Sequence, residues 1–235
     1  MIDLSYNWQA GLIFIVLLIV LVKALRFIAF KVPVLNETRI LNRVEDKKKK
    51  AKEKYPPMIK SSQKAGMCTN GFFVFAIAPF FLTLEAQSIG KVVLDIVAIL
   101  MIYDFFYYLM HRFLFHGQGY FRRVHAVHHQ ARSPTAVDAL YVHPVETFMG
   151  VLLFLLVIVG LGFFVGPFHS VTLALTFLIY TQLNIINHCK ITIPFFPFKT
   201  LSWITAKHAV HHENMHKGNY ASITLVYDRL FGTFD

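Results

Sequence analysis

DFFYYLMHRFLFHGQGYFRRVHAVHH, residues Asp104 to His129, places five histidines within nineteen residues: His111, His116, His125, His128 and His129. A later stretch, KHAVHH, repeats the HxxHH spacing with His208, His211 and His212. Side chains at i, i+3 and i+4 share one face of an α-helix. The spacing therefore predicts that His125, His128 and His129 aim their imidazoles at one point, and that His208, His211 and His212 do the same. Neutral imidazole is the commonest metal ligand among side chains, so two facing tripods are expected to surround more than one ion. His111 and His116 stand at i, i+5, about 140° apart on a regular helix. They converge only if the helix loosens near Gly117, or they serve different ions.

Outward from this stretch the chain is apolar. Hydrophobic residues make up 56% of 235 residues, concentrated in long runs, which is the signature of membrane spans. Trp8 to Phe30 is a first candidate, interrupted only by Lys23 and Arg26, whose long side chains can snorkel to the interface. No cation precedes it, so a retained anchor is expected rather than a cleaved signal. Further spans are expected at residues 67–84, with a kink at Pro79, and at 92–110, 145–165 and 168–186. Asp95 stands one turn from Lys91 and can pair with it. The fold class expected is all-α, with four or five membrane-embedded helices under a helical cap that carries the histidines. Residues 1–64 read as an anchor plus a basic surface segment closed by Pro56-Pro57, and residues 65–235 as the main membrane domain.

Charge orients this arrangement. If the polar segments 31–64, 111–144 and 188–235 share one side, with Lys23 and Arg26 at the inner end of the first span, all 23 Lys and Arg except Lys91 lie there, together with all 12 histidines except His169. The positive-inside rule makes that side cytoplasmic, in a bacterial inner membrane or the endoplasmic reticulum. The net charge of +10 fits such a membrane face. The basic run from Lys47 to Lys54 has no aromatic interleaving for base stacking, which argues against a nucleic-acid partner. Cys68 and Cys189 form no CxxC and read as packing residues.

The ordered motifs resemble the membrane fatty acid hydroxylase and sterol desaturase superfamily. Asp104, Tyr108, His111, Arg112 and His116 match its first motif, and His125, His128 and His129 its second. His143, Pro144 and Glu146 match a linking H-P-x-E element. His188 matches a lone histidine ending the last span, and His208, His211 and His212 match the third box. Asn219, Tyr220, Asp228, Arg229, Phe231, Gly232 and Thr233 match the closing motif. The resemblance covers roughly residues 80–235. Ala221 departs from a frequent glycine, and Asn184 stands where some fatty acyl hydroxylases carry another histidine.

The resemblance implies two irons bound by His111, His116, His125, His128, His129, His188, His208, His211 and His212. It also implies O2 as co-substrate and hydrogen removal from a lipid C–H bond. An all-imidazole ligand set by itself suits zinc, copper, iron or nickel, and zinc can replace iron in purified protein. Metal-bound histidines commonly donate their second ring N–H to a carboxylate or carbonyl. Asp104, Asp138, Glu146 and Asp228 are the carboxylates expected in that role, with Tyr108, His143 and Asn184 nearby. The chain has no GxGxxG, no clustered cysteines and no haem motif. Electrons are therefore expected from a separate protein, a ferredoxin or a b-type cytochrome. Hydroxylation is the preferred outcome and desaturation the nearest alternative. A metal transporter would want midplane ligands, and a haem carrier one or two axial histidines.

Overall fold

The computed structural model describes residues 5–235. Helix α1 (Trp8–Ala29) begins where the Asn7 side chain accepts the Ala10 N–H at 3.0 Å, satisfying an otherwise orphaned donor. A short turn leads into α2 (Pro33–Lys50), then α3 (Tyr55–Phe72), α4 (Ile89–Leu109) and the short α5 (Tyr120–Ala126). Helices α6 (Pro144–Val165) and α7 (Ser170–Asn187) form a hairpin, followed by α8 (Lys199–Glu213) and α9 (Val226–Leu230). Four helical runs are long and apolar enough to cross a membrane: α1, α4 continued to Phe115, α6 and α7. The side chains Ile89, Leu94 and Phe164 on these runs are 67–88% exposed. An apolar belt of this kind needs lipid to cover it.

Residues 67–84 differ from the expected kinked span. The helix starts earlier, at Tyr55, with Pro56 and Pro57 inside its first turn, where a missing N–H removes no helical bond. The prolines therefore open a helix rather than close the basic segment. The α-helical part ends at Phe72 and passes through a π-helical turn, Phe73–Ile77, into a 3-10 turn, Ala78–Phe80. Pro79 thus sits in the terminal turn. It cannot donate to the Phe75 carbonyl four residues back, and the Tyr6 hydroxyl donates to that carbonyl instead, at 2.7 Å. A division after residue 64 would fall within α3.

Helix α3 packs along α6, and α1 along α7. Ser62 and Thr147 share a hydroxyl hydrogen bond of 2.7 Å across the α3–α6 seam. At the far end, strand β1 (Leu82–Thr83) pairs in parallel with β2 (Phe168–His169). Gly162 lies so close to the Phe81 ring that a Cβ there would meet it at 2.5 Å. Lys91 and Asp95 pair at 2.7 Å near this end. Cys68 is exposed on α3 rather than packed, while Cys189 is half-buried.

The basic α2 is docked rather than free. Asn42 exchanges two hydrogen bonds with the Lys190 backbone, at 3.0 and 2.9 Å. Lys49 pairs with the fully buried Asp138, which also accepts from the Tyr55 hydroxyl at 2.9 Å. Lys49 and Gly90 lie at opposite ends of the bundle. Single cysteines placed at these two positions should therefore react with an impermeant thiol reagent from opposite sides of a sealed membrane. Labelling of both from one side would show that the bundle does not traverse it.

Candidate metal centre

Each histidine is placed by local backbone geometry. Past Leu109 the fourth helix widens into a π-helical turn, Met110–Phe115, in which the His116 N–H donates to the His111 carbonyl at 2.9 Å. The i→i+5 bond brings the two imidazoles onto one face, with ring centroids 4.9 Å apart. Loosening of the helix occurs here, one turn ahead of Gly117. Gly117 itself is required by close packing, since a Cβ would fall 2.1 Å from the Phe113 carbonyl oxygen. His125 lies on α5, and His128 and His129 lie in the 3-10 turn that follows. His188 caps the C-terminus of α7, and α8 carries the last three.

The nine imidazoles form two groups, but not the expected tripods. His111, His116, His125, His129 and His211 form one, and His128, His188, His208 and His212 the other. Ligand nitrogens within each group lie within 4.8 Å of one another. Both HxxHH boxes are therefore split. The i, i+4 pairs His125–His129 and His208–His212 each stay together, while His128 and His211 turn to the other group. Adjacent residues thus serve adjacent groups, which sets the two side by side. The His129 and His212 rings stack across the boundary at 4.9 Å.

The second ring nitrogens decide what these groups can hold. Nδ1 of His128 points at the Tyr141 carbonyl at 3.2 Å, and Nδ1 of His188 at the Asn184 carbonyl at 2.8 Å. A carbonyl only accepts, so each Nδ1 carries the proton and each Nε2 is a bare lone pair. These two Nε2 atoms face each other at 3.0 Å. Two lone pairs at that distance repel unless a cation lies between them. His111, His116 and His211 are tied in the same way to the carbonyls of Tyr220, Met215 and Gly218, at 2.6–2.9 Å. His125 is held by the Glu146 carboxylate at 2.7 Å. Nitrogens bound at about 2.0–2.1 Å to one ion, at right or tetrahedral angles, lie about 2.9–3.3 Å apart. The facing Nε2 pairs measure 2.9–3.2 Å, so the donor set fits metal ions.

Burial adds a second effect. It lowers the imidazole pKa of His125, His128, His129, His208 and His212, and pushes those of His188 and His211 down from 6.5 to about 3. Neighbouring imidazoles lower most of them further. These rings are neutral at pH 7, the form that binds metal.

Of the four carboxylates expected to orient ligands, only Glu146 contacts an imidazole. Asp104 is fully buried and accepts from the backbone N–H groups of Ser222, Ile223 and Thr224, and from the Thr224 hydroxyl, at 2.7–2.9 Å. Asp228 accepts from the Tyr220 and Ala221 N–H groups and the Thr233 hydroxyl. Both act one step back, by fixing the segment whose Tyr220 carbonyl holds His111. Asp138 likewise fixes the loop that ends at Tyr141. Tyr108 accepts from Arg112 at 2.6 Å and meets Thr233, touching no imidazole. His143 caps α6 by accepting the Val145 N–H and joins neither group. Asn184 contributes its backbone carbonyl and borders the cavity described next. His216 is exposed, and His169 caps α7 at the far end.

Sequence reasoning did not find the carbonyls of Tyr141, Met215, Gly218 and Tyr220, because any residue type supplies a carbonyl. One signal was available at Gly218, where a Cβ would meet the Thr233 carbonyl oxygen at 1.9 Å. A cavity of about 710 Å³ lies against both groups. It is walled by Met67 on α3, Tyr107 on α4, Val151 on α6 and Tyr180 on α7. That volume suits a ligand of lipid or drug size.

A family model for fatty acid hydroxylase matches residues 96–233. The chain belongs to the fatty acid hydroxylase family. Among curated relatives in or near this family, methylsterol monooxygenase 1 of rat is 34% identical over 57% of this chain and 44% of its own length. The chicken protein of the same name is 33% identical over 66% and 48%. A cholesterol 25-hydroxylase-like protein of zebrafish is 30% identical over 63% and 59%. The chain spans about half the length of the curated relatives it matches. No solved structure matches it.

The depressed imidazole pKa values give a pH prediction. Between the folded values and 6.5 the unfolded chain binds more protons, so stability rises with pH there and is lost as pH falls below 6.5. Going from pH 6.5 to 5 costs up to about 2 kcal/mol for each imidazole that stays neutral. The melting temperature of metal-free protein in micelles should fall steeply between pH 7 and 5. A flat profile would show that the rings are not buried in this way.

Proposed function

We propose that this protein is an O2-dependent lipid hydroxylase with two iron ions. The facing Nε2 lone pairs of His128 and His188 are the observation that carries this reading, since only a bound cation relieves them. His111, His116, His125, His129 and His211 would hold one ion, and His128, His188, His208 and His212 the other. The ions, when bound, supply O2 activation strong enough to remove hydrogen from an unactivated lipid C–H bond. Relatives named as methylsterol monooxygenases and as a cholesterol 25-hydroxylase-like protein support a sterol or related lipid as substrate.

The chain's own contribution is positioning. Carbonyl and carboxylate acceptors fix the tautomer and ring plane of His111, His116, His125, His128, His188 and His211 before metal binds, which limits reorganisation during reaction. The cavity between α3, α4, α6 and α7 takes the lipid body out of the bilayer, and its apolar walls exclude water from the reacting carbon. His111, His125, His128, His188, His208 and His211 all border it, so a bound chain passes beside both groups. The histidine-bearing end is cytoplasmic by its charge. An acidic ferredoxin or b-type cytochrome would dock on the basic residues of α2 and deliver the two electrons that hydroxylation requires beyond those of the substrate.

Purified protein should hold two metal ions per chain. His128→Ala and His211→Ala, which strike different groups, should each lower the metal content. Full occupancy in both variants would refute the ligand assignment. In a reconstituted assay, oxidation should stop when either O2 or the electron donor is omitted, and should slow as salt screens the docking. Lipid oxidation that continued without O2 would exclude the monooxygenase reading.

A further inference from the structure

Helices α1, α2 and α3 make a frame with α2 as its crossbar. The far ends of the two legs meet where the Asn7 N–H donates to the Pro79 carbonyl at 2.9 Å and the Tyr6 and Phe80 rings pack at 5.1 Å. The legs are of similar length, 22 residues in α1 against 18 in α3 followed by 5 and 3 in its closing turns. Their near ends therefore lie at similar depth. Helix α2, about 27 Å long, runs between them, roughly in the plane where the spans end.

This helix is not free to roll. One face is taken by Asn42 on the Lys190 backbone, by Asp46, which accepts the Val137 N–H at 3.0 Å, and by Lys49 on Asp138. These stand at i, i+4 and i+7, so the rest of the helix is held outward. The outward side presents Ile40, Leu41 and Val44, 50–64% exposed, flanked by exposed Arg43, Lys47 and Lys48. Glu37, at the end nearest α1, is the single exposed acid of the helix.

Three neighbouring aliphatic side chains in water are unfavourable, and two observations indicate what covers them. The patch continues the apolar surface of Phe27 and Ile28 at the end of α1, 67% and 64% exposed, on a helix long and apolar enough to cross a membrane. Cations border it throughout: at the corner between α1 and α2, Lys31 and Arg39 lie over the Phe27 and Phe30 rings at 5.0 and 4.4 Å. Long cationic side chains cover apolar surface in this way while their charges reach the headgroups. An apolar stripe edged by Lys and Arg is the pattern of a helix lying in the membrane interface.

We propose that α2 is an interfacial helix whose outer face seats on an anionic lipid surface. Ile40, Leu41 and Val44 enter the acyl boundary, and Arg43, Lys47 and Lys48 meet the phosphates. Lys50 and Lys52, at and beyond the helix end, take no part and stay open to the electron donor. Because Lys49 of the same helix clamps Asp138, this contact also ties the loop ending at Tyr141 to the membrane.

The test places the full chain, with Cys68→Ala and Cys189→Ala, in nanodiscs of phosphatidylcholine with and without phosphatidylglycerol. A nitroxide attached at Leu41→Cys should be relaxed by O2, which concentrates in the bilayer, and one at Lys52→Cys by a water-soluble nickel chelate. Lipid retained by the unlabelled protein on release into detergent, read by native mass spectrometry, should be enriched in phosphatidylglycerol. Arg43→Gln combined with Lys47→Gln should lower that enrichment by at least about fivefold and leave the metal content unchanged. Equal enrichment in the double variant, or a label at residue 41 as open to the chelate as the one at residue 52, would overturn the proposal. In the second case, protection of the residue 41 label by an acidic electron donor would assign the face to a protein partner instead.

Discussion

Imidazole Nε2 atoms held 2.9–3.2 Å apart, bare on both sides in the pairs His111–His125 and His128–His188, are the constraint on which the rest of the structure depends. Left without a cation, they would be pushed apart by lone-pair repulsion and by the cost of burying polar atoms without partners. The fold opposes this by tying the other nitrogen of most rings to a fixed acceptor. Those acceptors come from α6, from the end of α7 and from the segments around Tyr141 and Gly218–Tyr220.

This dependence explains why Asp104, Asp138 and Asp228 sit away from the imidazoles and Glu146 alone of the four meets one. A carboxylate on every ligand would bring several negative charges into an apolar interior, at a high desolvation cost. Backbone carbonyls perform the same orienting task without net charge. Asp104, Asp138 and Asp228 then stiffen the backbone that bears the carbonyls, and each gathers three or more hydrogen bonds in doing so. The clamp of Lys49 and Tyr55 on Asp138 brings the N-terminal helices into this scheme, although they lie outside the family match. The stacked Tyr55 and Tyr141 rings, 4.0 Å apart, press the same loop from the other face.

The membrane imposes the second constraint. Apolar helices satisfy their own backbone groups and can face lipid, whereas a polar cluster must sit where spans end. The histidines follow that rule: His111 and His116 at the end of the fourth helix, His188 at the end of α7, and the boxes on short helices beyond the spans. The cavity meets them at this boundary, so a lipid can reach the centre without leaving the bilayer entirely.

The sequence by itself determined the helical class, four of the five spans it suggested and the identity of the nine clustered histidines. Hydropathy and residue type are local properties, and they survive any arrangement of the chain. It also showed that His111 and His116 could meet only if their helix loosened. Only the tertiary structure decided how the nine divide, because adjacent residues point different ways in the 3-10 turn of His128–His129 and in the regular helix of His211–His212 alike, and packing sets which group each one meets. It alone decided that α3 begins at Pro56-Pro57, where the prolines fit a first turn that needs no donors. The acceptors behind the rings were equally out of reach of the sequence. A backbone carbonyl has no residue signature, and for His111 and His116 its place beside the imidazole is set by contacts between segments about a hundred residues apart.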